Sequence, residues 1–150
     1  MQIIQIDKTQ GTLVYELFDK YRVFYKQPSA IEVAKKFIQE RLNNNESVIF
    51  VALTAGGIPT GFTQLYPKYS SMRASKNWVL NDLYVDKHYR QQGIGGQLIK
   101  TAMDFAKQNG ASFVELSTAV DNYTAQSLYE QIGFIKQEAE TDFYTYRISV

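Results

Sequence analysis

The sequence predicts an α/β fold built on a mixed sheet, in which antiparallel strands at the start lead into one parallel crossover. Strand-like and helix-like segments follow one another in the order βααββ, then βαβ, then a helix and a terminal hairpin, rather than in strict alternation. The 150 residues, 45% of them hydrophobic, suffice for one buried core but not for two ordinary domains. No internal repeat, low-complexity tract or linker interrupts the chain, so we expect one domain over residues 1–150.

Two helices are predicted after a short first strand over residues 2–6. Apolar residues at helical spacing mark the first of them: Leu13, Leu17, Tyr21 and Phe24. Ser29 and Glu32 form an S-x-x-E capping box ahead of the second helix. Its apolar stripe consists of Ile31, Ala34, Ile38 and Leu42.

Strands dominate the middle of the chain. Residues 48–54 and 61–66 are strand-like, and the turn-forming residues 55–59 between them predict an antiparallel hairpin. Residues 67–77 are polar and mildly basic, which indicates a loop. The apolar run over residues 78–85 predicts a further strand.

The C-terminal half predicts two more helices and three strands. One helix carries the apolar residues Leu98, Ile99, Ala102, Met103 and Ala106, and it ends at Gly110, which tolerates a left-handed cap. A strand over residues 113–118 follows, and Asp121 and Asn122 then cap a short helix that ends at Gly133. The tail predicts two strands, over residues 134–137 and 143–148.

Composition excludes several classes of function. A formal charge of +1 and a pI near 7.8 provide no attraction for nucleic acid or for an anionic membrane surface. The absence of cysteine excludes thiol catalysis, and the single histidine, His88, cannot form a multi-histidine metal site, so we expect no metal. The N-terminus lacks a signal pattern and no apolar run approaches membrane-spanning length, which leads us to expect a cytoplasmic protein.

Three glycines in four positions, Gly93, Gly95 and Gly96, stand at the start of an otherwise favourable helix. Within a helix each costs roughly 1 kcal/mol relative to alanine, so the sequence must gain something from them. Where a strand leads into a helix, unpaired N–H groups and the positive end of the helix dipole attract anions, and glycine lets a phosphate approach the backbone. The alternative is a tight turn with close helix–sheet packing.

Two other phosphate-binding motifs fit less well. A Walker-type loop requires a lysine directly after its last glycine, and this chain has none there. A dinucleotide fingerprint would need glycine in place of Leu98, although Glu115 lies roughly where a ribose-binding acid is expected. Residues 86–92 also separate the strand from Gly93, whereas a dinucleotide turn follows its strand almost immediately.

Two motifs resemble those of the GNAT N-acetyltransferases. Arg90-x-x-Gly93-x-Gly95, after the strand Leu80-Asn81-Asp82-Leu83-Tyr84-Val85, is similar to the cofactor-binding motif of that family. Asn122-x-x-Ala125-x-x-Leu128-Tyr129-x-x-x-Gly133-Phe134 is similar to its second motif, at the usual distance from the first. The two motifs cover about a third of the chain, and the predicted order of elements fits the remainder.

The resemblance implies a three-layer sandwich with acetyl-CoA as co-substrate and no metal. A bulge would splay the strand at residues 80–85 from the strand at 113–118, and the pantetheine arm would lie between them against backbone groups of Leu83, Tyr84 and Val85. Arg90 is expected either to contact a phosphate or simply to be solvated. Backbone amides would bind the pyrophosphate, and they belong to Gln91, Gln92, Gly93, Ile94, Gly95 and Gly96.

The resemblance also implies roles in catalysis. Tyr129 would lie beside the thioester sulfur and protonate the departing thiolate, because a phenol is protonated at neutral pH; the alternative is a partly buried aromatic. Asp82 would take the proton of the attacking amine, with Glu115 as second candidate, although some relatives carry two acids where this chain has Asn81 and Asp82. Asn122 would cap its helix and also bond the pantetheine.

The expected reaction is direct transfer of acetyl from acetyl-CoA to a primary amine, on a small molecule or a peptide. The alternatives are a non-catalytic CoA-binding regulatory domain and a nucleotide-binding oxidoreductase. Family habit suggests a homodimer. The first helix offers Tyr21, Phe24 and Tyr25 to an acceptor site, although core packing is the commoner use of such aromatics, and no acidic cluster favours a polyamine.

Overall fold

In the computed structural model, which describes residues 1–150, five strands form one sheet in their sequence order. All neighbouring strands are antiparallel except the last pair, which is parallel. The mixed sheet with its single parallel crossover is therefore confirmed. The strands are β1 Gln2–Gln5, β2 Val48–Leu53, β3 Pro59–Ser70, β4 Ser75–Val85 and β5 Val114–Glu115.

Four α-helices accompany the sheet: α1 Tyr15–Phe24, α2 Ile31–Asn43, α3 Ile94–Gln108 and α4 Tyr123–Ile132. The chain divides into two compact units, Met1–Ser117 and Thr118–Val150. The first unit holds the sheet with α1, α2 and α3, and the second holds α4 and the tail. None of these helices combines the length and the apolar composition needed to cross a membrane.

Alternation along the strands creates two apolar layers in the first unit. Ile49 and Val51 of β2 belong to a core with Phe18 of α1 and Ile38 of α2. Phe50, between them in sequence, points the opposite way and meets Phe105 of α3 with ring centroids 5.7 Å apart. The sheet therefore lies between α1 and α2 on one face and α3 on the other, which is the expected three-layer arrangement.

The predicted capping box of the second helix is wrong. α2 begins at Ile31 without a side-chain cap, and Ser29 Oγ instead donates to Asp19 Oδ2 of α1 over 2.6 Å. Asp19 Oδ1 accepts from the backbone N–H of Ala30 over 2.8 Å. The buried carboxylate of Asp19, on the neighbouring helix, therefore accepts both of these hydrogen bonds. It is a charged acceptor, and the Glu32 side chain would have to compete with it from solvent.

Residues 67–77, predicted to be a loop, mostly continue β3 and β4 as a long antiparallel hairpin. Pairing runs on to Ser70 and Ser75, and Ala74 takes a left-handed φ of 48° in the turn. Lys76 lies 4.8 Å from the ring centroid of Trp78 and 5.6 Å from that of Tyr69. Such contacts stabilise a ribbon whose polar sequence gives no hydrophobic alternation.

The C-terminal tail does not form the two predicted strands, and β5 is shorter than expected. After Gly133 no regular element is present, and the hydrogen bonds of tail side chains are local, such as Gln137 Nε2 to Ile135 O. Phe143, Tyr144 and Tyr146 are 78–90% exposed. Alternating apolar residues form a strand where a neighbouring strand hydrogen-bonds to their backbone N–H and C=O groups. In this structure no strand pairs with this segment.

Candidate functional site

β4 contains a bulge, and its pairing with β5 ends just before that bulge. Gln64 of β3 pairs with Asp82 and Leu65 pairs with Leu80, so Asn81 has no partner. β4 pairs with β5 at Trp78 and Val79, just before the bulge. Beyond it, residues 81–85 have no partner in β5. The splay that the resemblance implies stays a prediction.

The segment after β4 forms a turn with two left-handed residues. A short 3₁₀ turn over Lys87–Tyr89 is followed by Gln91 with φ of 62° and Gly93 with φ of 77°. Gly93 is the N-cap of α3, with no side-chain cap and no acidic residue in the first turn. The bond from Gln97 N–H to Gly93 O begins the helical ladder, so the amides of Ile94, Gly95 and Gly96 have no acceptor within the helix. This end of α3 is therefore suited to an anion.

Backbone conformation and packing together explain only one of the three glycines. The left-handed backbone accounts for Gly93, whereas Gly95 and Gly96 are helical with no left-handed φ. A Cβ at Gly95 would meet Val85 Cγ2 at an ordinary 3.9 Å, and a Cβ at Gly96 would meet nothing within 4 Å. Close helix–sheet packing is thus not the reason for these two glycines, and the space beside them remains open to a ligand.

The side chain of Arg90 folds back onto the protein. Its Nε donates to Val85 O over 2.9 Å. Its guanidinium carbon lies 5.8 Å from the ring centroid of Phe24 in α1 and 5.6 Å from that of Tyr84. Arg90 therefore joins the end of β4, the turn and α1, and this contact is more specific than simple solvation.

Asp82 lies in a buried polar cluster directly after the bulge. It is 3% exposed, and it accepts from Gln64 Nε2 over 2.5 Å and from Asn81 Nδ2 over 3.1 Å. Ser47 Oγ donates to Gln64 Oε1 over 2.7 Å, which fixes the orientation of the Gln64 amide. Tyr21 of α1 also hydrogen-bonds to Asp82. Sequence reasoning missed Ser47 and Gln64, although a glutamine inside the apolar run of β3 was a signal of a buried polar contact.

Two tyrosines next to this carboxylate resist ionisation. Burial, together with the hydrogen bond to Asp82, raises the pKa of Tyr21. Burial also raises the pKa of Tyr66 to about 12, and the charge of Asp82 adds to that rise. Both phenols are therefore neutral at physiological pH and able to donate a hydrogen bond.

The other candidates in the first unit lie elsewhere. Glu115 of β5 forms an ion pair with Lys68 of β3, and both side chains are nearly half exposed. His88 is exposed, and its backbone N–H donates to Asp86. Of the first-helix aromatics, Tyr21 packs against the core, whereas Phe24 and Tyr25 are 58% and 57% exposed, so core packing was wrong for these two.

The second unit carries the second motif on α4. Asn122 is the N-cap, as predicted, and its Oδ1 accepts from the N–H of Ala125 over 3.2 Å. Gly133 ends the helix with φ of 122°. Tyr129 is half-buried, and its ring meets Phe134 edge to face at 6.0 Å. The roles of Asn122 and Tyr129 toward acetyl-CoA stay predictions.

Comparison with known proteins agrees with these features. Residues 12–134 match the model of the acetyltransferase (GNAT) family. The chain is 43% identical over 150 residues to YhfO of Bacillus subtilis (strain 168), an uncharacterized N-acetyltransferase, and the match covers 100% of this chain and 98% of that one. A crystal structure of a probable acetyltransferase superposes with a TM-score of 0.89 at 40% identity, over 99% of both chains.

A more distant structure shares the fold. AAC(6')-Iy, in complex with the bisubstrate analogue CoA-S-monomethyl-acetylneamine, superposes with a TM-score of 0.77 at 21% identity, over 98% of both chains. The family match covers most of the chain, and the relative at 43% identity covers all of it. The chain therefore belongs to the GNAT family of acetyltransferases.

Proposed function

We propose that this enzyme transfers an acetyl group from acetyl-CoA to a primary amine by direct attack of the amine on the thioester. The observation that carries this proposal is the pair Gly95 and Gly96. Both lie in the first turn of an uncapped helix, and packing does not require glycine at either position. Leaving out two side chains there makes room for a pyrophosphate against the helix amides. The complex of AAC(6')-Iy with a CoA bisubstrate analogue supports this choice of donor.

The backbone of the proposed cofactor site comes from two segments. The amides of residues 91–96 would bind the pyrophosphate, and Arg90 would add a positive charge beside it. Leu83, Tyr84 and Val85 lie on β4 beyond the bulge, where they have no β5 partner. Their backbone groups would bond the amides of the pantetheine arm in place of a neighbouring strand.

Asp82 is the proposed acceptor of the amine proton, directly or through a water molecule. Its charge is balanced by hydrogen bonds from Gln64, Asn81 and Tyr21, so the carboxylate is held in one orientation. Glu115 is a weaker candidate for the base because its carboxylate already forms an ion pair with Lys68. Tyr129 is the proposed acid for the thiolate, Asn122 a further pantetheine contact, and a backbone N–H near the bulge would stabilise the oxyanion.

The proposed acceptor is a small-molecule or peptide amine. Phe24 and Tyr25 expose more than half of their surface at the end of α1, which favours an amine with an apolar or ring-shaped body over a simple polyamine. Family membership disfavours the nucleotide-binding oxidoreductase alternative. The homodimer stays a prediction that light scattering can measure.

An acetylation screen tests this proposal. Purified protein would be mixed with acetyl-CoA and with aminoglycosides, peptides bearing free N-termini, aromatic amines and polyamines, and free CoA would be followed with a thiol reagent. The chain contains no cysteine, so the reagent reports CoA alone. Amine-dependent release of CoA supports the enzyme. Binding of CoA without acetylation of any amine would favour the non-catalytic regulatory domain, and failure to bind CoA would overturn the cofactor site.

A further inference from the structure

A partly buried ion pair connects α1 with the segment that follows β4. Lys20 Nζ lies 2.6 Å from Asp86 Oδ2, although the two residues are 66 positions apart in sequence. The Asp86 side chain is 7% exposed and that of Lys20 is 50% exposed. Ion pairs at the surface contribute little, but a carboxylate that is almost fully buried depends strongly on its partner.

Asp86 organises the start of the turn that leads to α3. Its Oδ1 accepts from the N–H of His88 over 3.0 Å, and its carbonyl accepts from the N–H of Tyr89 over 2.9 Å. Its own N–H donates to Thr60 O of β3 over 2.8 Å. The hydrogen bond from Lys20 and then that from His88 hold the pKa of Asp86 below its usual range, and Asp86 in turn raises the pKa of Lys20. The pair is therefore fully charged at neutral pH.

The turn that begins at Asp86 needs such an anchor. Gln91 has a left-handed φ of 62°, a conformation that is unfavourable for a residue with a side chain. A strained backbone of this kind persists only where surrounding contacts hold it. The bond from Arg90 Nε to Val85 O holds the turn near its end, and the Lys20–Asp86 pair holds its beginning.

We infer that Lys20 is a positioning residue for acetyl-CoA: through Asp86 it keeps residues 87–93 in the conformation that directs the amides of the turn and of the α3 N-terminus at the pyrophosphate. This inference rests on the proposed cofactor site. Lys20 does not touch the ligand in this scheme. Its ammonium also balances the charge of Asp86, which would otherwise oppose the approach of a pyrophosphate.

Lys20→Met tests the inference, since it keeps the aliphatic stem and removes the charge and the hydrogen bond. We expect CoA affinity, measured by calorimetric titration, to fall by about tenfold. We expect hydrogen exchange of the free protein to become faster at residues 87–96 and to stay unchanged in the core strands. Lys20→Arg keeps the charge and should recover most of the affinity.

Lys35→Met is the matched control, because Lys35 is 47% exposed and pairs with Glu32 on α2 at 3.4 Å. It should change neither CoA affinity nor exchange of the turn. Asp86→Asn keeps an acceptor for His88 while it removes the carboxylate, and it should reproduce the loss if Lys20→Met does not fold. Wild-type affinity and unchanged exchange in either variant would overturn the inference alone. Wild-type protein that fails to bind CoA would overturn the proposed function instead.

Discussion

Gly96→Ala is expected to raise the stability of the protein and to weaken its binding of CoA. Gly96 is helical, and a Cβ at this position meets no atom within 4 Å, so alanine fits the folded chain without strain. Replacing glycine by alanine in a helix contributes about 0.5–1 kcal/mol, chiefly because the unfolded chain loses freedom. For a chain of this size the melting temperature should rise by about 1–4 °C.

The same methyl group stands where the pyrophosphate would approach the helix N-terminus. Displacing the ligand from one backbone amide removes a charge-assisted hydrogen bond, which contributes about 1.5–3 kcal/mol. That loss corresponds to a roughly ten- to hundred-fold increase in Kd for CoA. The two effects have opposite signs, so general damage to the fold cannot imitate them.

Thermal denaturation and calorimetric titration with CoA measure the two effects on the same preparation. Gly56→Ala serves as control, because Gly56 lies in the turn between β2 and β3 and its Cβ would meet only Thr54 Oγ1, at 3.8 Å. It should leave CoA affinity unchanged. A Gly96→Ala protein that is stabilised and binds CoA with wild-type affinity would refute the argument that this glycine makes room for the ligand.

Three further substitutions test other parts of the scheme. Tyr129→Phe should lower kcat by about ten- to ten-thousand-fold with CoA affinity unchanged if the phenol protonates the thiolate; wild-type turnover with a stability loss of about 1 kcal/mol would make Tyr129 structural. Asp82→Asn should lower kcat/KM by roughly 100-fold or more, whereas a wild-type kcat/KM would exclude Asp82 as base. Bonds from Ser29 and Ala30 hold the pKa of Asp19 below its ordinary 3.8, so this carboxylate stabilises the fold above that pH and less as pH falls. Asp19→Asn should therefore reduce stability at pH 7 and flatten its decline below pH 4, measured by denaturant titration; an unchanged decline would contradict this role.

Local patterns in the sequence predicted the parts of the fold that local physics determines. The strand predicted over residues 48–54 is present as β2, and helix-ending glycines such as Gly110 have the left-handed backbone expected of them. The hairpin at residues 67–77 escaped prediction because its sequence is mostly polar and most of its residues are exposed or half-buried, so it has no apolar period. The hydrogen bonds at the start of α2 were not predicted because their acceptor, Asp19, belongs to another helix.

The candidate site likewise has parts that the sequence predicted and parts that it did not. The glycine segment could be predicted, because its position at the start of a helix and its open surroundings follow from residues that are adjacent in sequence. The contacts of Asp82 with Gln64 and of Lys20 with Asp86 depend on strand register and on how α1 packs, neither of which a single sequence specifies. The bulge that leaves Asn81 unpaired has the same origin in register.

One helix, α1, contacts both the turn that leads to α3 and the candidate base, Asp82. Lys20 pairs with Asp86 at the start of the turn, Tyr21 hydrogen-bonds to Asp82 at the bulge, and the ring of Phe24 lies under Arg90. A shift of α1 would therefore disturb the turn and the candidate base together. A Cβ at Gly96 would meet no atom within 4 Å, so Gly96→Ala should weaken CoA binding and leave turnover at saturating acetyl-CoA unchanged. Variants that loosen α1 should impair both CoA binding and turnover, and that contrast distinguishes a site organised by α1 from two independent sites.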